Sequence, residues 1–149
     1  PVDLTELAKS VAHAQAASAE ARGLSLGVEA PVPAVVSGEP DALRALLDNL
    51  VDNAIRYTSA GQVTIRAGRA DGEAFLEVED TGPGIPAAER TRVFDRFYRG
   101  ESVAAGGSGL GLAIVRRIAQ RHRGSVELLD PIHDPGLRVR VTLPVRTHL

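Results

Sequence analysis

The stretch that most limits what this chain can become is residues 43–57, Leu-Arg-Ala-Leu-Leu-Asp-Asn-Leu-Val-Asp-Asn-Ala-Ile-Arg-Tyr. It holds neither glycine nor proline, and its apolar residues recur at helical spacing. Wound at about 100° per residue, it gathers Leu43, Leu47, Leu50, Val51 and Ala54 into one apolar stripe. Asn49, Asn53, Arg56 and Tyr57 fall together on another face, with Asp48 and Asp52 beside them. Each asparagine inside a helix costs roughly half a kcal/mol against alanine. Each amide also needs partners on both its oxygen and its nitrogen. Two amides, a cation and an aromatic ring on one face can hold a phosphate, a metal and a flat base. The same face also suits the solvated side of an ordinary amphipathic helix. This helix by itself leaves both readings open.

The rest of the chain is sized for one domain. Its 149 residues can bury a proper core. With 44 % hydrophobic and 24 % charged residues, the balance is that of a globular protein. A net charge of −2 argues against a basic nucleic-acid surface, and Lys9 is the sole lysine. No apolar run is long enough to span a bilayer, and no signal-peptide pattern is present. The absence of cysteine removes disulfides and thiolate zinc sites, and fits a reducing compartment. The chain starts at Pro1 and contains no methionine, so it is expected to be a fragment of a longer protein.

In order along the chain, residues 2–22 are predicted to form a first helix, with Leu4, Leu7, Ala8, Val11, Ala12 and Ala19 inside and Asp3 or Thr5 as cap. Gly23 ends it. Residues 24–29 alternate as a strand, and a short apolar piece follows at 34–37. A turn at 38–41 leads into the central helix, which stops at Thr58-Ser59-Ala60-Gly61. Residues 62–67 and 73–79 alternate across the turn Arg69-Ala70-Asp71-Gly72, and so should be antiparallel neighbours. A short helix is expected at 87–94, and a small-residue segment at 102–108. The helix at 110–121 should bury Leu112, Ile114, Val115, Ile118 and Ala119. Strands at 125–129 and 137–143 close the chain, and there is no internal repeat. The pattern predicts an α+β two-layer sandwich: a mixed, mainly antiparallel sheet of about five strands with helices on one face.

Two glycine-bearing stretches carry chemistry. In Asp80-Thr81-Gly82-Pro83-Gly84-Ile85-Pro86 a carboxylate at a strand end precedes two glycines, which let backbone approach a flat ligand closely. Such a carboxylate can accept from an exocyclic amine, a charge-assisted bond worth roughly 1.5–3 kcal/mol. Taken alone the stretch equally describes a turn closed by an Asx bond. Gly106-Gly107-Ser108-Gly109-Leu110-Gly111-Leu112 runs into a helix, where bare N–H groups favour an anion. No lysine follows the glycines, so this is not a Walker loop, and their spacing is not that of the dinucleotide fingerprint. Between the two lies Arg92-Val93-Phe94-Asp95-Arg96-Phe97-Tyr98-Arg99, whose phenylalanines suit a core and whose Arg96 and Arg99 can reach a polyphosphate.

Together these features closely resemble the N, G1, F and G2 boxes of sensor histidine kinases: Asn49-x-x-x-Asn53 with Arg56-Tyr57, Asp80-x-Gly82-x-Gly84, Phe94-x-x-Phe97 and Gly107-x-Gly109-x-Gly111. Order and separations fit, and the resemblance extends from about Leu4 to Val141-Thr142-Leu143-Pro144. It is to the catalytic ATP-binding domain, in the superfamily of gyrase, the Hsp90 chaperones and MutL. The resemblance implies a Bergerat ATP-binding fold, one catalytic domain over residues 1–149, and ATP and Mg²⁺ as ligands. Asn53 would bind Mg²⁺, with Asn49 on the phosphates or the metal's waters. Arg56 would touch phosphate and Tyr57 flank adenine. Asp80 would accept from the adenine amino group, with Gly82, Gly84 and Ile85 shaping that end of the pocket. Arg99 would act with Asn53 in catalysis by reaching the γ-phosphate, and residues 99–108 would be a lid over the nucleotide. Gly107, Gly109, Leu110, Gly111 and Leu112 would hold the phosphate chain. The γ-phosphate would pass to a histidine on a helical dimerisation domain of the same protein, and thence to a response regulator. A cytoplasmic location is implied, with a membrane-anchored parent and no nucleic-acid or membrane contact by this chain.

There are departures. His122-Arg123-Gly124 stands where the family often has His-Gly-Gly. None of His13, His122, His133 and His148 has the setting of the family's phospho-acceptor, an exposed helical histidine followed by an acidic residue. The acceptor is therefore expected outside this sequence. A same-fold ATPase or serine kinase, or a non-catalytic nucleotide-binding docking module, are the rival readings.

Overall fold

A computed structural model of the chain describes residues 1–58, 60–82, 111–132 and 135–145. The first helix begins later than its periodicity predicts. Val2–Asp3 form a short strand, β1, and α1 runs Leu4–Ala21. Asp3 is the cap: its carboxylate accepts from Thr5 N–H at 3.0 Å and also from Ala34 N–H at 3.2 Å. The second bond explains why residues 2 and 3 leave the helix, since β1 pairs antiparallel with β3 (Val35–Val36). In sequence between them, and in the other sheet, comes β2, Leu24–Glu29.

The central helix, α2, spans Pro40–Tyr57, three residues earlier than the apolar stripe suggested. Proline supplies that extra turn cheaply, because the first N–H groups of a helix have no intrahelical partner. The predicted stripe is buried throughout, and Leu46 and Ile55 widen it. β4 (Gly61–Ala70) and β5 (Glu73–Asp80) form the expected hairpin around Asp71 and Gly72, at φ 52° and 80°. That pair of positive angles matches a primed hairpin turn. α3 covers Gly111–Arg121, then β6 (Ser125–Leu129) and β7 (Leu137–Pro144) follow. Ile114, expected inside α3, is instead 42 % exposed, while Val115, Ile118 and Ala119 are buried. The helix turns its narrower i, i+3, i+4 face inward and leaves Ile114 at the margin. The helix expected at 87–94 and the segment at 102–108 lie outside the described residues.

The five-stranded sheet has the order β2-β4-β5-β7-β6, with β2 parallel to β4 and every other pair antiparallel. α1, α2 and α3 pack side by side over one face of it. The core lies between the layers: Val63, Ile65 and Ala67 from β4, Ala74, Leu76 and Val78 from β5, and Val139, Val141 and Leu143 from β7 meet the helix stripes. Alternation along each strand places the opposite set of residues on the outer face.

Candidate functional site

The end of β5 meets the end of α2, and the chain between them explains how. After Tyr57 only three residues separate α2 from β4. Thr81, next to the last residue of β5, is clasped to that link: its hydroxyl donates to Ala60 O at 3.3 Å and accepts from Gln62 N–H at 3.1 Å. The clasp requires glycine at position 61. Gly61 has φ 116°, and a Cβ there would collide with the Thr81 hydroxyl. Asp80 is therefore held at the corner where helix, hairpin and sheet converge.

Asp80 is half-buried on the helix side of the sheet. Its Oδ1 accepts from Gly82 N–H at 2.9 Å, closing the Asx turn that the residues suggested. Leu137 N–H, from the register partner on β7, also reaches the carboxylate. Burial pushes the carboxyl up to about 6, with Glu79 adding to the rise and the two backbone N–H groups opposing it. A carboxylate held partly out of water at an energetic cost is a candidate binding group. Gly136 packs against the same corner, where a Cβ would overlap the carbonyl oxygen of Asp80.

On α2 three residues of the expected polar face are described. Asn49 and Asn53 are half-buried and Arg56 is exposed. Asn49 Nδ2 donates to Ala45 O at 2.7 Å, a bond back along its own helix. This leaves its amide oxygen, and the whole amide of Asn53, without a hydrogen-bond partner among the described residues. Arg56 Nε lies 3.1 Å from Asp52 Oδ2, an exposed i, i+4 pair of the kind that contributes little to stability and is easily redirected. Tyr57 is the last residue of α2, at the Asp80 end. Among the described residues no group of three or more His, Cys, Asp or Glu side chains is placed to hold a metal ion.

The structure thus brings Asn49, Asn53, Arg56, Asp80 and Gly82 onto α2 and the adjoining strand end. Gly111 opens α3 and Leu112 follows it, half-buried against the core. Gly84, Ile85, Arg99, Gly107, Gly109 and Leu110 lie outside the described residues, as do Phe94, Arg96 and Phe97.

Residues 38–147 match the family of histidine kinase-, DNA gyrase B-, and HSP90-like ATPases. The chain belongs to this family. It is 42 % identical to the sensor protein kinase PmrB of Pseudomonas aeruginosa, over 97 % of the chain and 30 % of PmrB. It is 37 % identical to the signal transduction histidine-protein kinase BaeS of Escherichia coli, over 100 % of the chain and 32 % of BaeS. The chain therefore spans about a third of the length of the curated relatives it matches. Among solved structures, the mycobacterial sensor histidine kinase MprB superposes with a TM-score of 0.88 at 34 % identity, covering 99 % of both chains. Full-length ShkA in complex with AMPPNP gives 0.85 at 31 % identity, covering 99 % of this chain and 31 % of ShkA. The two-layer architecture expected from the strand and helix pattern is thus the architecture of histidine kinase catalytic domains.

Two groups at the Asp80 corner leave little trace in the sequence. Leu137 N–H reaches Asp80 through β7 register, and a backbone donor leaves no mark in residue type. In the sequence Thr81 is only part of a turn, and its clasp on the link before β4 depends on strand pairing.

Proposed function

We propose that residues 1–149 form the ATP-binding catalytic domain of a longer sensor histidine kinase. The domain binds Mg-ATP and donates the γ-phosphate to a histidine on a separate dimerisation domain, from which a response regulator receives it. The observation that carries this reading is the Asp80 corner: a half-buried carboxylate at a strand end, against the helix whose polar face holds two asparagine amides with oxygens to spare. Asp80 accepts from the exocyclic amine of adenine, and Gly82 keeps the backbone close to the ring. Tyr57 flanks the base. Arg56 swings from Asp52 to a phosphate, an exchange its exposure permits.

The donor set fits magnesium. Mg²⁺ takes hard oxygens, keeps several waters, and needs few protein ligands when phosphates supply the others. Asn53 would hold it through its amide oxygen, and Asn49 would hold one of its waters. The ion supplies neutralisation of the charge that develops on the transferring phosphoryl group. The remaining work is positioning, which rigid α2 provides. Gly84, Ile85, Arg99, Gly107, Gly109, Leu110, Gly111 and Leu112 complete the proposed contacts, with Arg99 on the γ-phosphate.

With γ-labelled ATP and magnesium, the chain alone should stay unlabelled and label should appear on an added helical acceptor domain from a relative. Strong labelling of the chain alone would overturn the reading. Asn53→Ala gives a finer test, by calorimetry with a non-hydrolysable ATP analogue. With magnesium the variant should bind at least about tenfold more weakly than the wild type, the value of one good hydrogen-bonded ligand. With chelator in place of magnesium the two should converge. Stability should hold or rise slightly, since alanine is the better helix former by roughly half a kcal/mol.

A further inference from the structure

α2 and α3 pack side by side, and one imidazole ties them together. Glu39, the residue before α2, donates its N–H at 3.1 Å to Nε2 of His122, the residue after α3. The start of α2 thus meets the end of α3, and the two helices run antiparallel. Because Nε2 accepts, the ring is neutral with its proton on Nδ1, and that N–H donates to Ile118 O at 2.8 Å, one turn back along α3. The ring is fixed on its own helix while it grips the other. The Glu39 carboxylate makes no cap bond to α2 and lies 3.5 Å from Arg121 instead, a second tie between the same ends. Gly38 gives the ring its room, since a Cβ there would stand 2.8 Å from His122 Cδ2. Gly124 presses so close to β7 that a Cβ would meet Thr142 O at 2.3 Å, so the end of α3 is held to the sheet as well.

The site lies further along the same helix pair. At about 1.5 Å per residue, Gly111 stands about 16 Å from the clasp, level with about residue 50 of α2 and so with Asn49 and Asn53. Apolar packing between helices is non-directional, and by itself it tolerates sliding and rotation. A directional hydrogen bond at one end sets the register of the whole pair. We propose that His122 is a positioning residue of the nucleotide site: by joining the start of α2 to the end of α3, it sets the spacing between the α2 asparagines and the backbone N–H groups that open α3, the two walls between which the phosphates lie. This rests on the reading of the site as one for Mg-ATP and adds to it the device that spaces those walls. Asp80 stands on the sheet, outside the clasped pair, so the base end of the site does not depend on His122.

Titration with magnesium and either a non-hydrolysable ATP analogue or adenosine, followed by amide NMR, tests it on folded protein and reads weak binding too. His122→Phe keeps a ring but loses both bonds. It should bind the ATP analogue about tenfold more weakly, the loss of one good hydrogen bond, and adenosine within about twofold of the wild type. His122→Gln places an amide oxygen where Nε2 accepts, and should recover to within about threefold on the analogue. Gly38→Ala pushes on the ring from the other side. It should repeat the selective loss, and combining it with His122→Phe should add little, because both changes open the same clasp. A His122→Phe variant that melts earlier yet binds the analogue as the wild type does overturns the proposal. So does equal loss on the analogue and adenosine, or a glutamine variant no better than the phenylalanine one. A wild type that binds neither ligand overturns the Mg-ATP reading itself, a distinct outcome.

Discussion

Asp80 is the described residue whose ionisation is most visibly altered by its place in the proposed site. An unfolded aspartate ionises near 3.8, and the folded Asp80 near about 6 because burial penalises its charge. Between those values the native chain holds a proton that the unfolded chain has lost, so this group's contribution to stability falls as pH rises from about 4 to about 6. Above that window the loss is complete, and a gap of about two units corresponds to about 3 kcal/mol as an upper bound. Asp80→Asn should accordingly be more stable than the wild type at pH 7.5, by about 1–3 kcal/mol, with the advantage vanishing near pH 4; urea unfolding at the two pH values reads the difference. Adenine nucleotide affinity should move the opposite way, falling about 10- to 100-fold at pH 7.5 as one charge-assisted bond is lost. Stability and affinity shifting in opposite directions would distinguish a binding carboxylate from a structural one. Arg123 is a second residue in an uncomfortable place. It sits at φ 61°, just past α3, where Gly124 N–H bonds Ala119 O at 2.8 Å and Arg123 N–H bonds Gln120 O at 3.0 Å. That is the Schellman closure, and it favours glycine at the left-handed position. Arg123→Gly should raise stability by about 0.5–1 kcal/mol, measured by thermal or urea unfolding, and leave nucleotide binding unchanged.

At the scale of elements, what could be read from residues depended on whether the cause was local. β2 was legible to the residue, because Leu24, Leu26 and Val28 alternate with polar neighbours and Gly23 marks its start. The β4–β5 hairpin was legible because Asp71-Gly72 takes the positive φ values its turn demands. α2 was visible as a helix with a loaded polar face, but its first turn was not, since Pro40 reads as a break until the absence of a needed N–H is considered. β1 escaped because its cause is remote: Asp3 serves as cap to α1 and bonds Ala34 at the same time, and only the folded chain puts position 34 beside position 3. The candidate site divides likewise. Asn49, Asn53, Arg56 and Asp80 announced themselves as polar residues at costly or strand-end positions. The clasp of Thr81 on Gly61 and the Leu137 N–H on Asp80 depend on which strands pair and in what register, which no single stretch encodes.

Across the whole molecule the outer face of the sheet carries a row of alternating charge. In register from edge to edge stand Glu29 on β2, Arg66 on β4, Glu77 on β5, Arg140 on β7 and Glu127 on β6. Glu77 is the centre of the row and only 1 % exposed. Arg66 Nη1 lies 2.9 Å from its Oε2, Arg140 Nε 2.9 Å from its Oε1, and Arg138 Nη1 3.4 Å from that same oxygen. Arg140 also stacks its guanidinium 4.3 Å from the Phe75 ring centroid, which covers the row from one side. For Arg66, burial alone would lower the pKa, but its hydrogen bonds to Glu29, Glu79 and Glu77 outweigh it and drive the group further above its usual value. The middle of the inner face of the same strands is apolar, so a slip of one residue at Glu77 would put its carboxylate into the core and leucines beside arginines. Register is thus fixed from both faces, and with it the pairing of Asp80 with Leu137 at the end of β5. Glu77→Gln keeps the shape but turns one of two accepting oxygens into an N–H donor that meets guanidinium donors, and leaves three guanidiniums around a neutral amide. Breaking a buried ion pair from one side typically costs about 3–5 kcal/mol, so unfolding in urea should show a loss of that order with an unchanged slope. Glu77 faces away from the helices and Asp80 toward them, so under conditions where the variant remains folded its nucleotide affinity should stay within about twofold of the wild type. A fall in affinity matching the fall in stability would instead mean that the row also holds the corner in place, and that the outer face takes part in building the site.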